Sequence, residues 1–280
     1  MTIDKSQSDQ DIELQQYLFD LNGYVVLKNV LSNKQISLLN HLVDQELPAH
    51  GELIGKQMNR FGAAPSGSGF LAWGEPFCNL LTHPQIMSVL RFRLGDCFRI
   101  DRIYGISMHL GMEAGELHAD YGATAPIVGG IPGEYYPFRE NNILEGFVVA
   151  SFNLTDSGPD YGGFCCIPGS HKSHYKLPQQ IRLSPETAQC VVIPEVPAGS
   201  AILFTEALTH STTAWRGNHE RRSLLYKYCI SHLSWTAERV TPPEGLSEQQ
   251  RILFRNPADP HRHFPSLFHD TAAPLETGYH

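Results

Sequence analysis

The chain reads as a mainly β fold with flanking helices, a sandwich or barrel. Short apolar runs punctuated by Gly and Pro recur from Phe98 onward. Helical periodicity is concentrated before that point. No Gly/Ser linker or charge block divides the 280 residues, and the 41% hydrophobic content supports a sizeable core. One domain is expected over 1–280, with a helical part at 10–97, a β core at 98–235 and a tail at 236–280.

Taken in order, residues 1–9 are polar and expected to fray. Asp11 to Leu21 predicts a short amphipathic helix, ended at Asn22-Gly23. Tyr24–Leu27 is a β-rich run. Ser32 is an N-cap candidate for a helix carrying Ile36, Leu38, Leu39, Leu42 and Val43. Residues 50–75, rich in Gly and small residues, read as loop, and Pro84 to Leu94 as helix. Strands are expected over Ile100–Leu110, Gly146–Leu154, Gly163–Ile167, Cys190–Ile193, Ala201–Phe204 and Ser223–Ile230. Six prolines in 236–280 predict a wrapped tail with some helix.

Charge and composition narrow the function. A net charge of −8 and a pI near 5.9 argue against a nucleic-acid partner. No apolar stretch is long enough to span a bilayer. The first residues lack a secretory pattern, and the six cysteines show no CxxC spacing. A cytoplasmic protein with reduced thiols is expected, a monomer or homodimer acting on a small molecule.

One constellation carries chemistry. His118 and Asp120 stand two apart in Glu-Leu-His-Ala-Asp, which on a strand turns both side chains to one face. His210 follows in Leu-Thr-His-Ser-Thr. Two imidazoles and one carboxylate are the ligand set of a mononuclear Fe(II) facial triad, which leaves three positions open. Arg221 lies eleven residues beyond His210. With Gly217-Asn218 read as a hairpin turn, Arg221 would start the returning strand beside His210, where a guanidinium can clamp a carboxylate. Alternation turns Arg222 to the opposite face. A His-x-Asp pair alone is a weak signal among 14 histidines. A zinc hydrolase using the same three ligands and a non-catalytic cupin-like metal-binding module are the alternatives. His171 and His174 follow a Pro-Gly turn and are expected to face solvent.

These motifs together resemble the phytanoyl-CoA dioxygenase-like branch of the Fe(II)/2-oxoglutarate oxygenases. The resemblance covers most of residues 11–235. It rests on Leu-His-Ala-Asp (117–120), Gly-Gly-Phe-Cys-Cys-Ile-Pro-Gly-Ser-His-Lys (162–172), Gly-Ser-Ala-Ile-Leu-Phe (199–204) and Leu-Thr-His-Ser-Thr (208–212) with Arg221. Asn-Gly-Tyr-Val-Val-Leu-Lys-Asn-Val-Leu-Ser (22–32) looks like the family's first strand and helix start. The resemblance implies a double-stranded β-helix, a cupin-like jelly roll. It implies His118, Asp120 and His210 as catalytic iron ligands, with 2-oxoglutarate and O2 as cosubstrates. It implies Arg221 and Thr212 as the clamp for the far carboxylate of 2-oxoglutarate. Phe152 falls where the family often lines the cosubstrate pocket, and Met108, on the strand before the metal pair, is placed at its edge. Related halogenases carry Ala or Gly where Asp120 stands, so halogenation is not expected. Hydroxylation is the default outcome. Desaturation, epimerisation or ring formation in natural-product metabolism use the same cofactor chemistry.

Residues 121–145 mix aromatic residues and Arg139 with glycines and prolines. A segment this long between core strands reads as a lid. Tyr121, Tyr136 and Arg139, with Trp215 from the far side of the mouth, are the expected substrate contacts. They suit a mid-sized organic molecule. The plain alternative is a lid packed on itself.

Overall fold

The computed structural model describes residues 9–47, 55–64, 67–120, 138–139, 142–143, 146–173, 175–260 and 262–268. Its elements run α1 (Asp9–Asn22), β1 (Tyr24–Leu27), α2 (Asn33–Glu46), β2 (Asn59–Ala64), α3 (Glu75–Leu80), α4 (Pro84–Leu94), β3 (Phe98–Met108), β4 (Phe138–Arg139), β5 (Asn142–Ile143) and β6 (Phe147–Asn153). They continue with β7 (Phe164–Cys166), α5 (Gln179–Arg182), β8 (Ala201–Thr205), β9 (His210–Thr212), β10 (Arg221–Ile230) and α6 (Glu248–Ile252).

Two layers face each other as a double-stranded β-helix. The major sheet is antiparallel, in the order β1-β8-β6-β10-β3-β2. The minor layer pairs β7 with β9. Isolated bridges extend it at both edges, His118 onto His210 and Val192 onto Cys166. Cys190–Ile193, expected as a strand, contributes only that bridge. Residues 50–75 were expected to be loop, yet they contain β2, a 3-10 turn at Gly69–Trp73 and the first residue of α3. There the backbone of Asn59–Phe61 pairs with β3, so tertiary pairing overrides the small-residue composition.

The helices cover one face of the major sheet. Ser32 caps α2 through a full capping box with Gln35, worth about 1 kcal/mol. Leu39 and Val43 are the buried face of α2. The strand alternation of β10 sends Leu224, Tyr226 and Tyr228 into the helical layer. The Tyr226 and Tyr228 hydroxyls donate to the carbonyls of Phe77 and Leu81, each at 2.8 Å, which ties the α3 region to the sheet without an orphaned polar group. Arg222 leaves on the same side and pairs with Asp44 of α2 at 2.6 Å, as alternation requires.

The opposite face of β10 looks into the barrel. Leu225 packs there with Ile106, Met108, Val149, Phe164, Ile202 and Phe204. Arg221, Ser223 and Lys227 share this face, and their partners on β3 are Met108, Ile106 and Arg102. β9 and β10 do not form the expected hairpin. They belong to different layers, and the chain between them crosses the barrel mouth.

Candidate metal and cosubstrate site

The backbone puts His118 and His210 opposite each other. His118 N donates to His210 O at 3.0 Å, and His210 N returns a bond to His118 O at 2.7 Å. The ring centroids lie 4.7 Å apart. Each ring is fixed by the carbonyl two residues before it. His118 Nδ1 meets Glu116 O at 2.9 Å, and His210 Nδ1 meets Leu208 O at 2.7 Å. A carbonyl can only accept, so both rings hold their proton on Nδ1 and keep the Nε2 lone pair free. Burial, with His118 adding to it, pushes the His210 pKa down to about 4, so the ring is neutral at physiological pH.

Asp120 joins the pair with Oδ1 3.9 Å from His118 Nε2. Its Oδ2 accepts from Lys227 Nζ at 3.0 Å. Burial would raise this carboxyl, but the Lys227 ammonium outweighs it and holds the group well below the usual carboxylate range. The ligand set is therefore one carboxylate and two imidazoles, the donors a divalent iron takes. The trio stands open: among the described residues no three His, Cys, Asp or Glu side chains are drawn together closely enough to cage an ion as they stand.

Lys227 is itself almost fully buried and also pairs with Glu206, whose Oε1 lies 2.7 Å away. That approach is off-axis, so neither Glu206 oxygen receives a directed hydrogen bond. Burial pushes the Glu206 carboxyl up. Burial opposes the charge on Lys227 too, but Glu206 and Asp120 beside it dominate and keep it an ammonium. Lys227 Nζ also sits 5.7 Å from the centroid of the Tyr104 ring, and Arg60 lies 4.6 Å from the same centroid. The sequence reading missed Lys227 and Glu206. The available signal was a charge interrupting each of two apolar strand runs, Leu-Leu-Tyr-Lys-Tyr and Leu-Phe-Thr-Glu-Ala.

Arg221 reaches across the layers to β9. Its Nη1 donates to Thr212 Oγ1 at 2.7 Å and touches Met108 Sδ at 3.2 Å. Arg221 is 4% exposed and meets no carboxylate among the described residues, and its Nε has no hydrogen-bond partner. Burial lowers its pKa to about 10, still far above neutrality. A buried, permanent cation without a counter-charge is costly and asks for an anion. Gly163 leaves the space beside it: a Cβ there would stand 3.4 Å from Arg221 Nε, at a backbone φ of +110° that disfavours any other residue. Arg221, Thr212 and Met108 thus come together two residues beyond His210.

Three expected positions are corrected. Phe152 faces the helical layer, where it meets Tyr226 edge-on at 5.5 Å, so it lies on the wrong face of β6 for the cosubstrate pocket. The two-residue period gives the interior to Val149, Ser151 and Asn153 instead. Trp215 is 1% exposed and its Nε1 donates to His219 O at 2.8 Å. It plugs its own turn against the interior cluster and does not line the mouth. His171, expected to face solvent, is buried, with Nε2 3.0 Å from Asp20 O. Tyr121, Tyr136 and His174 lie outside the described residues. Arg139 falls on β4, opposite Asn142 of β5, and its side chain lies outside them too.

Residues 109–223 match the model of the phytanoyl-CoA dioxygenase family. That stretch is similar to the phytanoyl-CoA dioxygenase family. The matched stretch contains His118, Asp120, His210, Thr212 and Arg221, whereas Lys227 lies beyond it. No curated protein matches the chain. Among solved structures, the fold of this chain is similar to HygX from Streptomyces hygroscopicus, crystallised with nickel, 2-oxoglutarate and hygromycin B bound. The two share 18% identity over 81% of this chain and 89% of HygX, at a TM-score of 0.65. It is also similar to the non-heme alpha ketoglutarate dependent carbocyclase SnoK from nogalamycin biosynthesis, with 18% identity, 92% and 96% coverage and a TM-score of 0.60. The epimerase SnoN from the same biosynthesis gives 18% identity, 93% and 100% coverage and a TM-score of 0.59. At this identity the likeness speaks for the fold. Among the described residues no helix is long and apolar enough to cross a membrane, and all six cysteines are free.

Proposed function

We propose that the chain is an Fe(II)/2-oxoglutarate-dependent oxygenase that oxidises, by default hydroxylates, a mid-sized organic molecule. The observation that carries this is the buried Arg221 guanidinium, which meets no counter-charge among the described residues and stands beside Thr212, two residues from a histidine whose Nε2 is free. A dicarboxylate spanning from Arg221 to the histidines satisfies both ends at once. A zinc hydrolase needs no such cation.

His118, Asp120 and His210 would hold the iron. Iron held there supplies oxygen activation, with 2-oxoglutarate going to succinate and CO2. Arg221 and Thr212 orient the far carboxylate and set its distance from the ligands. Tyr104 and Arg60 form a described wall on the Lys227 side, suited to an oxygen-bearing substrate, and Arg139 from the segment 121–145 is a further contact we assign to it. Ring formation or epimerisation is the second reading, favoured by the carbocyclase and the epimerase among the similar structures.

The test is an anaerobic titration with Fe(II) and then 2-oxoglutarate, following the visible iron-to-ketoacid charge-transfer band. The band is expected in wild type, absent in His118→Ala and Asp120→Ala, and shifted to higher cosubstrate concentration in Arg221→Gln. Metal binding without a band would remove the reading.

A further inference from the structure

We propose that Lys227, locked in place by Glu206, is a positioning residue that makes Asp120 a one-oxygen ligand. The inference rests on the metal-site reading above and concerns what that reading does not use. Lys227 Nζ takes Asp120 Oδ2 at 3.0 Å, while Oδ1 is the oxygen facing His118 Nε2, at 3.9 Å. The two oxygens of one carboxylate therefore have different tasks. Oδ1 faces the His118 imidazole, and Oδ2 is held by the buried Lys227 ammonium.

The lysine cannot easily leave. It is 4% exposed, in the middle of β10, and held between β3 and β6 by backbone pairing on both edges. Glu206, 1% exposed, stands 2.7 Å from Nζ. A buried lysine costs several kcal/mol to desolvate, and a hydrophobic pair of the same volume would often serve stability better. The arrangement therefore points to a task other than stability. A carboxylate that chelated a metal through both oxygens would fill one of the three positions a facial triad leaves open. Lys227 and Glu206 keep that position clear.

The experiment loads wild type, Lys227→Arg, Lys227→Met and the double variant Lys227→Met/Glu206→Leu with Mn(II), and measures water-proton relaxation together with circular dichroism. The double variant removes both charges and so avoids the lone buried glutamate that destabilises the single variant. His118→Ala serves as the control for the metal site. Wild type and Lys227→Arg are expected to show the same relaxation enhancement per bound Mn(II). The double variant is expected to lose roughly one-third of it, as one of about three exchangeable positions closes. Wild-type enhancement in a folded, Mn(II)-loaded double variant would overturn the positioning role while leaving the metal site intact. Undiminished Mn(II) binding in His118→Ala would overturn the site itself and this inference with it.

Discussion

Arg221 Nη1 and Thr212 Oγ1 meet at 2.7 Å across the two layers of the barrel, and among the described residues the guanidinium meets no carboxylate. Arg221→Gln is expected to weaken 2-oxoglutarate binding by about 2–3 kcal/mol, roughly 30- to 150-fold, because a charge-assisted bidentate contact is lost. Thr212→Val should cost about 1 kcal/mol. Metal affinity should stay within twofold in both. Isothermal titration with metal and then cosubstrate separates the two effects.

The same cation predicts a stability result of opposite sign. Arg221→Met removes a buried charge that has no counter-ion, so the ligand-free variant should melt no lower than wild type. Adding 2-oxoglutarate to the metal-loaded proteins should then raise the melting temperature of wild type further, and that of the variant far less. A variant that melts well below wild type would show that Arg221 is a structural residue first.

Metal should stabilise the fold by mass action. At a concentration of 100 times its dissociation constant, Fe(II) or Mn(II) is expected to add about 2.7 kcal/mol to unfolding. His210→Ala and His118→Ala should abolish that increment, and a chelator should reverse it in wild type. Urea unfolding under anaerobic conditions reads it directly.

Phe152 belongs to the helical layer, so its effect should be on stability alone. Phe152→Leu is expected to cost about 1–2 kcal/mol by loosening the contact with Tyr226. The cosubstrate dissociation constant should not change. A tenfold change would place Phe152 back in the pocket.

His171 sets a pH dependence remote from the barrel interior. Burial lowers its pKa to about 4, with Lys172 and Arg93 adding to the effect and the Asp20 carbonyl opposing it. The unfolded chain, with an ordinary histidine pKa near 6.5, therefore binds this proton first as pH falls. Stability from this residue is complete above about pH 6.5 and is lost between there and about pH 4, by up to about 3 kcal/mol. The curve is then flat at lower pH. His171→Gln should remove that part of the slope in urea titrations at a series of pH values.

Much of the fold could be read from local signals. Pro84–Leu94, Tyr24–Leu27 and the Ser32 cap are determined by residues within a few positions of themselves, and the structure has them at the same bounds. β2 could not be read in this way, since its pairing partner β3 begins dozens of residues away. At the site, spacing was enough to single out the side chains that gather around His210. Facing was harder. Phe152 was one position out of phase because motif order says nothing about which face of β6 looks inward. Lys227 and Glu206 were passed over because in sequence each is a lone charge in an apolar run. Only the barrel closure brings them against Asp120.

The two histidines of the site owe their ring orientation to the carbonyls at Glu116 and Leu208, and their spacing to a reciprocal backbone bond. The Phe164 and Phe204 rings back His210, with centroids 6.1 Å and 4.8 Å away. The pair is therefore close to a portable unit: two tripeptides laid antiparallel, in which the main chain does the aiming and two aromatic rings brace one histidine. Grafted onto a strand pair that accepts the register and supplies that aromatic backing, it should present two metal-ready nitrogens while the remaining neighbours are left free to change with the substrate.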